Sequence, residues 1–537
     1  MFLRKYQDIL KDLHSSIEVV LGGQAEFAEF AQSVSFCDIR FGDLATNIAL
    51  QKSKLLKRHP RDLAQQVVDQ INKDGRFAIS EVAGPGFINI RLHEKSYIKL
   101  FQALEAEFYT SQIGNGRRVN LEFISANPTG PLVLVNAWGG YYGDILASCY
   151  QSQGYEVQRE YYLNDGGNQI TQLGRAVQRA AGAKFSSEQA KELYRGEYID
   201  SLAVEFIKDY GDANSLIQAD PQEVGDKAQA QILEQYIKPT LKRLGINHDK
   251  VYPETQLDNQ TTIERLRQAG AILEKEGAIW LSGEKAGLDK DEVLVRSTDG
   301  QETYFLKDIT YQLTKLEDRR FDRAITIVGP DHHGQEQRLL AALRLLGHDG
   351  FVPLWTQTVR LTKDGQEFKM SKRRGNYIVL DEFLDIVPTD TARFFFALRD
   401  TNSHLDLDLD LLATQNKHNP LFYVMYSYVR AGSVLDKVDA VDEPSEIELD
   451  ETQKQILRSF IEIAQLIGQT TETQQVHHVL HKMIEVARYF HDWYENNPVI
   501  NEGDGDLRRS RIYFLQKYRI ALATLFDLIG IEAQEKM

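Results

Sequence analysis

Cysteine is nearly absent from this chain of 537 residues, and its scarcity argues against several classes of protein. Only Cys37 and Cys149 occur, far apart and with no second cysteine or histidine at metal-ligand spacing. This pattern argues against a disulfide framework and gives no indication of a zinc site. It is typical of proteins in a reducing compartment, so we expect a cytoplasmic location.

A long apolar run is also missing. The first residues, MFLRKYQDILKDL, alternate charged and apolar side chains, unlike the uninterrupted apolar core of a signal peptide. No later window is apolar over the length that a bilayer requires. The sequence therefore predicts a soluble protein with no membrane partner.

Positive charge is in the minority. The chain has 62 lysine and arginine residues against 78 aspartate and glutamate residues, a formal net charge of −16. A protein with this balance repels polyanions at long range. Any nucleic-acid partner is therefore expected to bind at local basic patches.

The length and the order of sequence patterns predict several domains. Helical patterns and a strand-like segment from Val82 to Leu92 predict a small α+β module at the N-terminus. A strand over 118–123, a turn-forming loop over 127–131 and a helix then predict the opening unit of a nucleotide-binding fold. The charged, helical stretch from about 174 to 244 predicts an insertion, and the chain is helical in pattern from about Ala413 to its end.

The most informative motif is a cationic loop, Lys369-Met370-Ser371-Lys372-Arg373, which continues as Arg374-Gly375-Asn376. Four cations around a small hydroxyl residue, followed by glycine, are typical of a loop that holds polyphosphate. Basic runs are also common on solvated surfaces and in general nucleic-acid patches. The motif alone therefore leaves both interpretations open.

Two acidic residues predict a site for a flat cation. Glu122 is supplied by the first loop region of the nucleotide-binding unit, and Asp308 lies four residues after Tyr304, on the same face if the segment is helical. The two carboxylates could each accept N–H groups of a guanidinium while the tyrosine covers one face. With Ser125 and Asn127 on the first loop, the set would select arginine over lysine.

Other interpretations of these residues stay open. Glu122 and Asp308 could be ordinary ion-pair or capping residues. The pair His332-His333, which follows a predicted strand, could indicate a metal, although a third ligand at a recognisable spacing is missing.

The motifs together resemble one family, the arginyl-tRNA synthetases of the class I aminoacyl-tRNA synthetases. The matching segments follow the family's order through nearly the whole chain and read FGDLATNIAL, GPGFINIRL, NLEFISANPTGPL, REYYLNDGGNQI, TYFLKDITY, VGPDHHG, FKMSKRRGN, LDLDLD, NPLFYVMYSYVR and LIGIEAQEKM. A chance match to the cationic loop would not bring the other segments with it.

The resemblance implies a multidomain α/β fold. It implies a Rossmann-type class I synthetase catalytic domain over residues 111–400 with a helical insertion at about 174–250. An N-terminal α+β domain over 1–110 would bind the tRNA elbow, and an all-α domain over 401–537 would bind the anticodon. The implied activity is the ATP-dependent ligation of L-arginine to tRNA(Arg) through an arginyl-adenylate. Mg²⁺ would be carried by the ATP phosphates, without zinc, and the protein would be a monomer.

The resemblance also implies roles for individual residues. The implied arginine-binding residues are Glu122, Ser125, Asn127, Tyr304, Asp308 and His332. The implied catalytic residues, which stabilise the transferring phosphates, are Lys369, Ser371, Lys372 and Arg373. The implied ATP-binding residues are Pro131, Val133, Asn136, Gly139, Met370 and Lys372. The implied tRNA-binding residues are Phe87, Asn89, Tyr423, Arg430 and Met537.

One loop departs from the family's pattern. Class I synthetases carry a His-x-Gly-His loop or a near variant where this chain has Val133-Leu134-Val135-Asn136, and Trp138 stands where arginine is common. Val133 lacks the hydrogen-bond donor of the family's first histidine, and Val135 adds a β-branched side chain where ATP approaches the backbone in the family. The amide of Asn136 can still donate a hydrogen bond to a phosphate or ribose oxygen. Either the loop is remodelled and ATP is held by Asn136, helix N-terminal N–H groups and the cationic loop, or the protein is a non-catalytic paralogue that binds tRNA or arginine as a regulator. The residues of the amino-acid pocket and of the cationic loop can be recognised in the sequence, which favours a working enzyme.

A second departure lies in the helical domain. Met425 and Tyr428 replace a glutamine and a histidine often found in the family, and Gln534-Glu535-Lys536 replaces the usual Pro-Glu-Arg. These changes bear on anticodon contacts more than on the reaction.

Overall fold

The computed structural model describes residues 1–298, 300–329, 335–368, 378–439, 441–444 and 446–537. The predicted cationic loop Lys369–Arg373 and the pair His332-His333 lie outside these residues. Within the described ranges, no helix combines the length and the apolar character needed to cross a membrane.

The N-terminal region packs helices against a small antiparallel sheet. Its elements are α1 (Phe2–Leu21), α2 (Phe27–Ser33), β1 (Val34–Phe36), β2 (Leu44–Thr46), α3 (Ile48–Lys52), α4 (Pro60–Asp74), β3 (Ile79–Ala83), β4 (Phe87–Arg91) and α5 (Glu94–Gln102). The strand order is β1-β2-β4-β3. Helix α1 buries residues three or four positions apart, among them Tyr6, Leu10 and Leu13, as an amphipathic helix does. Helix α4 begins with proline at its first turn and ends before Gly75 in the left-handed conformation.

A parallel five-stranded sheet forms the centre of the molecule. The elements of this region, in chain order, are β5 (Arg118–Glu122), α6 (Leu134–Ser152), β6 (Glu156–Leu163), α7 (Asn168–Ala180), α8 (Gln189–Glu192), α9 (Glu197–Asp209), α10 (Ala213–Gln218), α11 (Pro221–Ile232), α12 (Lys238–Arg243), β7 (Lys250–Pro253), α13 (Asn259–Gln268), β8 (Ile272–Lys275), β9 (Ala278–Leu281), α14 (Gly283–Ala286), β10 (Glu292–Val295), α15 (Tyr304–Leu313), β11 (Arg323–Val328), α16 (Gln335–Leu345) and β12 (Phe351–Trp355). The strand order is β12-β11-β5-β6-β7, and all neighbouring pairs are parallel. The order changes direction between β5 and β11, where ligands bind in open α/β sheets.

The segment between β6 and β7 is helical, as its sequence pattern predicts. Helices α7 and α11 cross so closely that a Cβ on Gly174 would lie 1.8 Å from the carbonyl oxygen of Pro221. A Cβ on Gly225 would lie 2.0 Å from the carbonyl oxygen of Ile170. Only glycine fits at both positions, because any side chain would push the two helices apart.

The segment between β7 and β12 has its own hydrophobic core. The sheet β10-β9-β8 covers it on one side, and residues such as Leu266, Leu294, Leu306 and Ile309 fill it. Helix α15 belongs to this core and continues as a π-helical turn over Thr314–Asp318. A wider turn of this kind inserts one extra residue per hydrogen-bonded ring and re-aims the side chains that it carries.

The C-terminal part begins with a three-stranded sheet, and after the last strand of this sheet the elements in its described residues are all helices. Its elements are β13 (Val359–Lys363), β14 (Gln366–Glu367), α17 (Leu380–Leu384), α18 (Thr389–Ala397), β15 (Leu405–Asp408), α19 (Leu409–Ala413), α20 (Pro420–Leu435), α21 (Glu451–Thr473), α22 (His477–Asn496) and α23 (Gly505–Leu528). The sheet order is β14-β13-β15. Side chains cap the last helices: Asn419 accepts from the N–H of Phe422, and Asp450 and Gln453 form a reciprocal capping box.

Two polar junctions attach the helical part to the rest of the molecule. The hydroxyl of Tyr142 on α6 donates to the carbonyl of Gln474 at 2.7 Å and accepts from the N–H of Val476 at 3.3 Å. The hydroxyl of Tyr150 donates to the carbonyl of Thr471 at 2.6 Å. The turn between α21 and α22 is therefore held directly on the helix that follows β5.

The second junction joins the N-terminal region to α21. The guanidinium of Arg458 forms a buried ion pair with Asp43 and donates to the hydroxyl of Tyr97 at 2.7 Å. Tyr97 in turn donates to Asp43 at 2.8 Å. Burial lowers the pKa of Arg458 to about 10, which shows how far the group is removed from water.

Candidate active site

A cavity of about 540 Å³ opens at the carboxyl ends of β5 and β11. Residues singled out from the sequence that line it are Glu122, Ser125, Asn127, Asn136, Gly139, Tyr304 and Asp308. Polar residues that line it and that sequence reasoning missed include Tyr162, Asn164, Glu254, Lys307, Gln312, Thr326 and Glu336. The structure thus brings one predicted set together where the strand order reverses. The volume of the cavity falls in the range of small-molecule binding sites.

The loop after β5 is shaped by a strained turn. Ile124 adopts a positive φ of 54°, which is unusual for a β-branched residue. The turn places the hydroxyl oxygen of Ser125 where it accepts from the N–H of Tyr162 at 3.0 Å. It leaves Asn127 exposed at the cavity wall. The strain lies beside the cavity, as strained backbone often does at functional sites.

Glu122 is both an internal ion-pair partner and part of the cavity wall. Its Oε2 lies 2.6 Å from the ammonium of Lys315 and accepts from the hydroxyl of Thr326 at 3.0 Å. Lys315 is fully buried, and its Nζ lies 4.0 Å from the centre of the Tyr311 ring. The sequence left an ion pair and a binding role open as alternatives for Glu122. In the structure, one carboxylate makes the ion pair and also faces the cavity.

Lys315 was not singled out from the sequence. It lies on the π-helical turn that extends α15, seven residues after Asp308 and four after Tyr311. That spacing places all three on one side of a continuous helix. The spacing from Asp308 is a signal in the sequence, but it shows neither the π-helical turn nor the burial of the lysine.

Asp308 is the carboxylate with the most perturbed chemistry. Within the described residues it makes no ion pair and no hydrogen bond through its side chain. Burial, together with the nearby charges of Glu122 and Glu254, raises its pKa to about 7. A cation placed beside it would reverse this shift, because an opposite charge favours the ionised form.

Two other acids near the cavity, Glu254 and Glu160, have cations of their own. Glu254 lies 2.5 Å from the ammonium of Lys307 and accepts from the hydroxyl of Tyr162 at 3.1 Å. Glu160 is ion-paired with Arg319 beneath the cavity. Burial opposes the ionisation of Glu160, but the hydrogen bond from Arg319 and the charge of Lys315 outweigh it and keep its pKa below the usual value.

Tyr304 lies at the cavity mouth. Its side chain is 60% exposed, and the ammonium of Lys307 lies 5.7 Å from the centre of its ring. The hydroxyl of Thr303 caps α15 by accepting from the N–H of Leu306, and Tyr304 is the first residue of that helix. The ring is therefore held at a helix start with one face available to a ligand.

The loop that departs from the family's pattern, Val133–Trp138, is bound to the segment that follows the cationic motif. Val133 forms an antiparallel bridge with Val379, and the N–H of Leu134 donates to the carbonyl of Ile378 at 3.0 Å. The side-chain oxygen of Asn136 accepts from the N–H of Val133 at 2.8 Å, so it caps α6. Asn136 and Gly139 face the cavity, whereas Pro131 and Val133 are not among the described residues that line it.

Trp138 does not reach the cavity. The side chain is fully buried in the core, and its indole N–H has no hydrogen-bond partner in the part of the chain that the structure describes. Tryptophan here extends the hydrophobic packing of α6.

Comparison with known protein families decides what kind of chain this is. The family described as tRNA synthetases class I (R), catalytic domain, matches residues 100–402. The arginyl tRNA synthetase N terminal domain matches residues 8–92, and the DALR anticodon binding domain matches residues 424–537. The chain belongs to the arginyl-tRNA synthetase family. The family and fold class predicted from the motifs are confirmed.

Curated relatives agree with this assignment. The arginine–tRNA ligase of Symbiobacterium thermophilum is 36% identical over 516 residues, covering 92% of each chain. That of Desulforamulus reducens is 35% identical over 521 residues, again covering 92% of each. The likeness therefore extends over almost the whole length of both proteins.

Solved structures share the fold. A putative arginyl-tRNA synthetase from Campylobacter jejuni has a TM-score of 0.75 at 28% identity, covering 83% of this chain and all of that one. The Thermus thermophilus arginyl-tRNA synthetase has a TM-score of 0.77 at 19% identity, covering 98% of this chain and all of that one, and supports the fold alone.

In this synthetase, the predicted elbow-binding residues lie on one strand. Phe87 and Asn89 are two residues apart in β4, so their side chains share a face of the sheet. Phe87 is 41% exposed, whereas Asn89 is only 8% exposed. An aromatic side chain on the surface beside an amide is a suitable arrangement for an unpaired base.

Two of the predicted anticodon-binding residues, Tyr423 and Arg430, contact aromatic side chains of α20 and α22. The ring of Tyr423 lies 4.5 Å from that of His491. The guanidinium of Arg430 lies 4.2 Å from the Tyr494 ring and 5.5 Å from the Tyr426 ring. Met537 is 52% exposed. Stacking rings with an arginine are typical of surfaces that bind single-stranded RNA.

The residues that depart from the family in this domain contact one another. The hydroxyl of Tyr428 donates to Glu535 at 3.3 Å, and the N–H of Gln534 lies 3.4 Å from the sulfur of Met425. Arg519 forms an ion pair with the same Glu535. The C-terminal segment thus contacts α20 through three replaced residues, Met425, Tyr428 and Gln534, and through Glu535, which matches the family's pattern.

No metal cluster is visible among the described residues. Within those ranges, no group of three or more histidine, cysteine, aspartate or glutamate side chains is placed to hold an ion, and Cys37 and Cys149 are free thiols.

Proposed function

We propose that this protein ligates L-arginine to tRNA(Arg) at the expense of ATP, through an arginyl-adenylate. The observation that carries the proposal is the cavity in which Asp308, a carboxylate without a cation, lies with Glu122 at the switch point of a class I synthetase sheet. Family membership indicates the class of reaction, and the residues of the site indicate which amino acid is the substrate.

The pocket matches the side chain of arginine. A guanidinium could donate to both Glu122 and Asp308 while the face of Tyr304 covers its plane. Lysine offers a single ammonium that cannot make the same planar fork. The carboxylate of the bound arginine would then be free to attack the α-phosphorus of ATP, which breaks the bond to the leaving pyrophosphate.

ATP would be held by the first turn of α6 and by the cationic loop. Asn136 and Gly139 face the cavity, and the N-terminus of α6 lies beside it with N–H groups that favour an anion. We assign Lys369, Ser371, Lys372 and Arg373 to phosphate stabilisation, with Met370 next to the nucleotide. Mg²⁺ enters with ATP on its phosphates. Pro131 and Val133 would shape the loop through the bridge to Val379.

The tRNA would bind through local patches on an acidic protein. We assign Phe87 and Asn89 to the elbow, and Tyr423, Arg430 and Met537 to the anticodon. The free cysteines fit a reducing cytoplasm, and we propose that a single chain suffices for activity. The domain limits 1–110, 111–400 and 401–537 remain part of this proposal.

Arginylation of total tRNA with labelled arginine and ATP tests the proposal. We expect transfer to one isoacceptor group, which Lys372→Ala abolishes while tRNA binding is retained. Bound tRNA without any charged product, at high protein concentration and with wild-type sequence, would instead support the regulator that the Val133–Trp138 loop left open.

A second arm concerns the pocket. Asp308→Ala is expected to reduce arginine binding and to weaken the preference for arginine over lysine. An unchanged preference would show that the guanidinium does not bind between the two carboxylates.

A further inference from the structure

The carboxylates around the cavity differ in their charge compensation. Three have a cation within ion-pair distance, in the pairs Glu122–Lys315, Glu160–Arg319 and Glu254–Lys307. A further acid that lines the cavity, Glu336, accepts from the indole N–H of Trp355 at 2.9 Å. Asp308 has no cation within ion-pair distance in the described residues. Asp308 is therefore the carboxylate beside which the single positive charge of an arginine side chain would find a partner.

We infer that Lys315 is a resident counter-ion that neutralises Glu122 and thereby sets the pocket to accept one monocation. It is a positioning residue for amino-acid selection, because it acts through Glu122 and does not itself line the cavity. The inference rests on the proposed function and deepens it.

The geometry of Lys315 supports a fixed charge. The side chain is fully buried, with Nζ 2.6 Å from Glu122 Oε2 and 3.4 Å from the hydroxyl of Thr326. The face of the Tyr311 ring covers it at 4.0 Å. The ammonium is held by a carboxylate, a hydroxyl and a ring and is not accessible to water. Its position is therefore set by the fold.

The same contacts orient Glu122. Lys315 and Thr326 both donate to Oε2, and no hydrogen bond to Oε1 comes from the described residues. The carboxylate is therefore fixed through one oxygen while the other is left for a ligand. In this arrangement Glu122 can accept from a guanidinium without carrying an unbalanced charge.

Removing the ammonium would change the charge balance of the pocket. Glu122 and Asp308 would then be two uncompensated carboxylates in one cavity, and like charges in such a site drive one of them to take a proton. The other titratable or charged side chains that surround them are Glu160, Tyr162, Tyr252, Glu254, Tyr304, Lys307, Tyr311, Arg319, Glu336 and Arg338. None of these replaces Lys315 at Glu122 within the described residues.

A set of charge variants tests the inference in the full-length protein. The variants are Lys315→Met, Lys315→Arg, Glu122→Gln and the double variant Glu122→Gln/Lys315→Met. Arginine affinity is measured by calorimetry from pH 6 to pH 9. In the wild type one proton competes with the guanidinium, so affinity should fall about tenfold per pH unit below the midpoint.

Each variant has its own expected result. Lys315→Met should move the midpoint up by about one pH unit, because an opposite charge at this distance lowers the pKa of a carboxyl by about one to three units. Lys315→Arg should keep the wild-type midpoint. Glu122→Gln leaves an unpaired cation beside the guanidinium and should bind worst. The double variant should recover at least about tenfold relative to Glu122→Gln, since it again lacks a single positive charge.

Two results would overturn the inference. A Lys315→Met protein that binds less arginine with the wild-type midpoint would make Lys315 a purely structural residue. A double variant no better than Glu122→Gln would do the same, and this variant carries the test if Lys315→Met fails to fold, because it leaves no buried charge unpaired. A wild type that binds no arginine at any pH would overturn the proposed function, and this inference with it.

Discussion

Asp308 shows how a carboxylate without a cation can oppose folding. Its carboxyl is enclosed by the cavity wall and by other acids, so ionisation is unfavourable until a cation arrives. The folded protein therefore binds a proton at this position more tightly than the unfolded chain does. Ligand-binding charges of this kind are commonly retained at a cost in stability.

Replacing Asp308 with asparagine should stabilise the ligand-free protein, and more so at high pH. Its folded pKa of about 7 lies above the ordinary 3.8, so the favourable contribution of the protonated form is lost as pH rises toward 7. The gain in unfolding free energy should be larger by about 2–3 kcal/mol at pH 8 than at pH 5. Urea unfolding at the two pH values measures it.

The control for this prediction is Asp8→Asn, which changes an exposed carboxylate on α1. It should leave stability within about 0.5 kcal/mol at both pH values. An equal effect of Asp308→Asn at pH 5 and pH 8 would mean that the carboxyl titrates normally in the folded protein.

The pairing of Glu122 with Asp308 could be predicted from residue chemistry, whereas Lys315 could not be identified as readily. Carboxylates near a tyrosine and an amide carry a recognisable chemistry, and both line one cavity. In the sequence, Lys315 is not distinguished from the other charged residues of a polar segment. Its burial depends on a π-helical turn and on contacts with two strands, which local sequence does not encode.

Helix α6 is the element that most directly shapes the site. Its first turn faces the cavity, its middle packs on the loop after β5, and its last part holds the helical domain through Tyr150. A Cβ added to Gly143 would lie 2.6 Å from the ring of Phe123. The close contact lets the helix cross directly behind the loop that carries Ser125 and Asn127.

Gly143→Ala should therefore disturb both stability and substrate binding. Overpacking against Phe123 is expected to cost about 1–3 kcal/mol and to raise the KM for arginine by shifting the loop. Thermal unfolding and initial rates measure the two effects.

The matched helical control is Gly468→Ala in α21, where the nearest atom to an added Cβ is 3.6 Å away. That change should stabilise the protein by up to about 1 kcal/mol. If both alanine variants behaved alike, the packing of α6 on Phe123 would not restrict position 143.

Elements with a strong local pattern could be predicted from the sequence. The spacing of Val479, Met483, Val486 and Phe490 predicts one buried face, and all four are buried on α22. The bridge between Val133 and Val379 could not be predicted, since it joins residues far apart in the chain. The loop Val133–Trp138 therefore contacts a distant segment of the chain, and its own sequence does not reveal that contact.

The parts of the molecule share one hydrophobic core and are also joined by buried polar contacts. Arg458 and Asp43 join α21 to the N-terminal region, and both side chains are almost completely buried. A buried ion pair is costly to break, because removing one partner leaves the other charge unpaired. The surfaces proposed to bind the elbow and the anticodon therefore belong to parts that are connected directly as well as through the central sheet.

Arg458→Met should destabilise the protein by about 3–5 kcal/mol and separate the unfolding of the N-terminal region from the rest. Denaturant unfolding followed at two spectroscopic signals measures both. Arg40→Met breaks the exposed pair with Asp38 and should change stability by less than about 1 kcal/mol. A loss of similar size in both variants would indicate that the Asp43 junction does not hold the parts together.

The most direct measurement identifies the amino acid attached to the tRNA. Total tRNA is incubated with the protein, ATP, Mg²⁺ and all twenty amino acids, and the terminal adenosine is released by nuclease and weighed by mass spectrometry. The pocket of Glu122 and Asp308 predicts arginyl-adenosine as the aminoacyl product, with Asp308→Ala greatly reducing it. Another aminoacyl-adenosine as the main product, or none from active wild-type protein, would contradict the account.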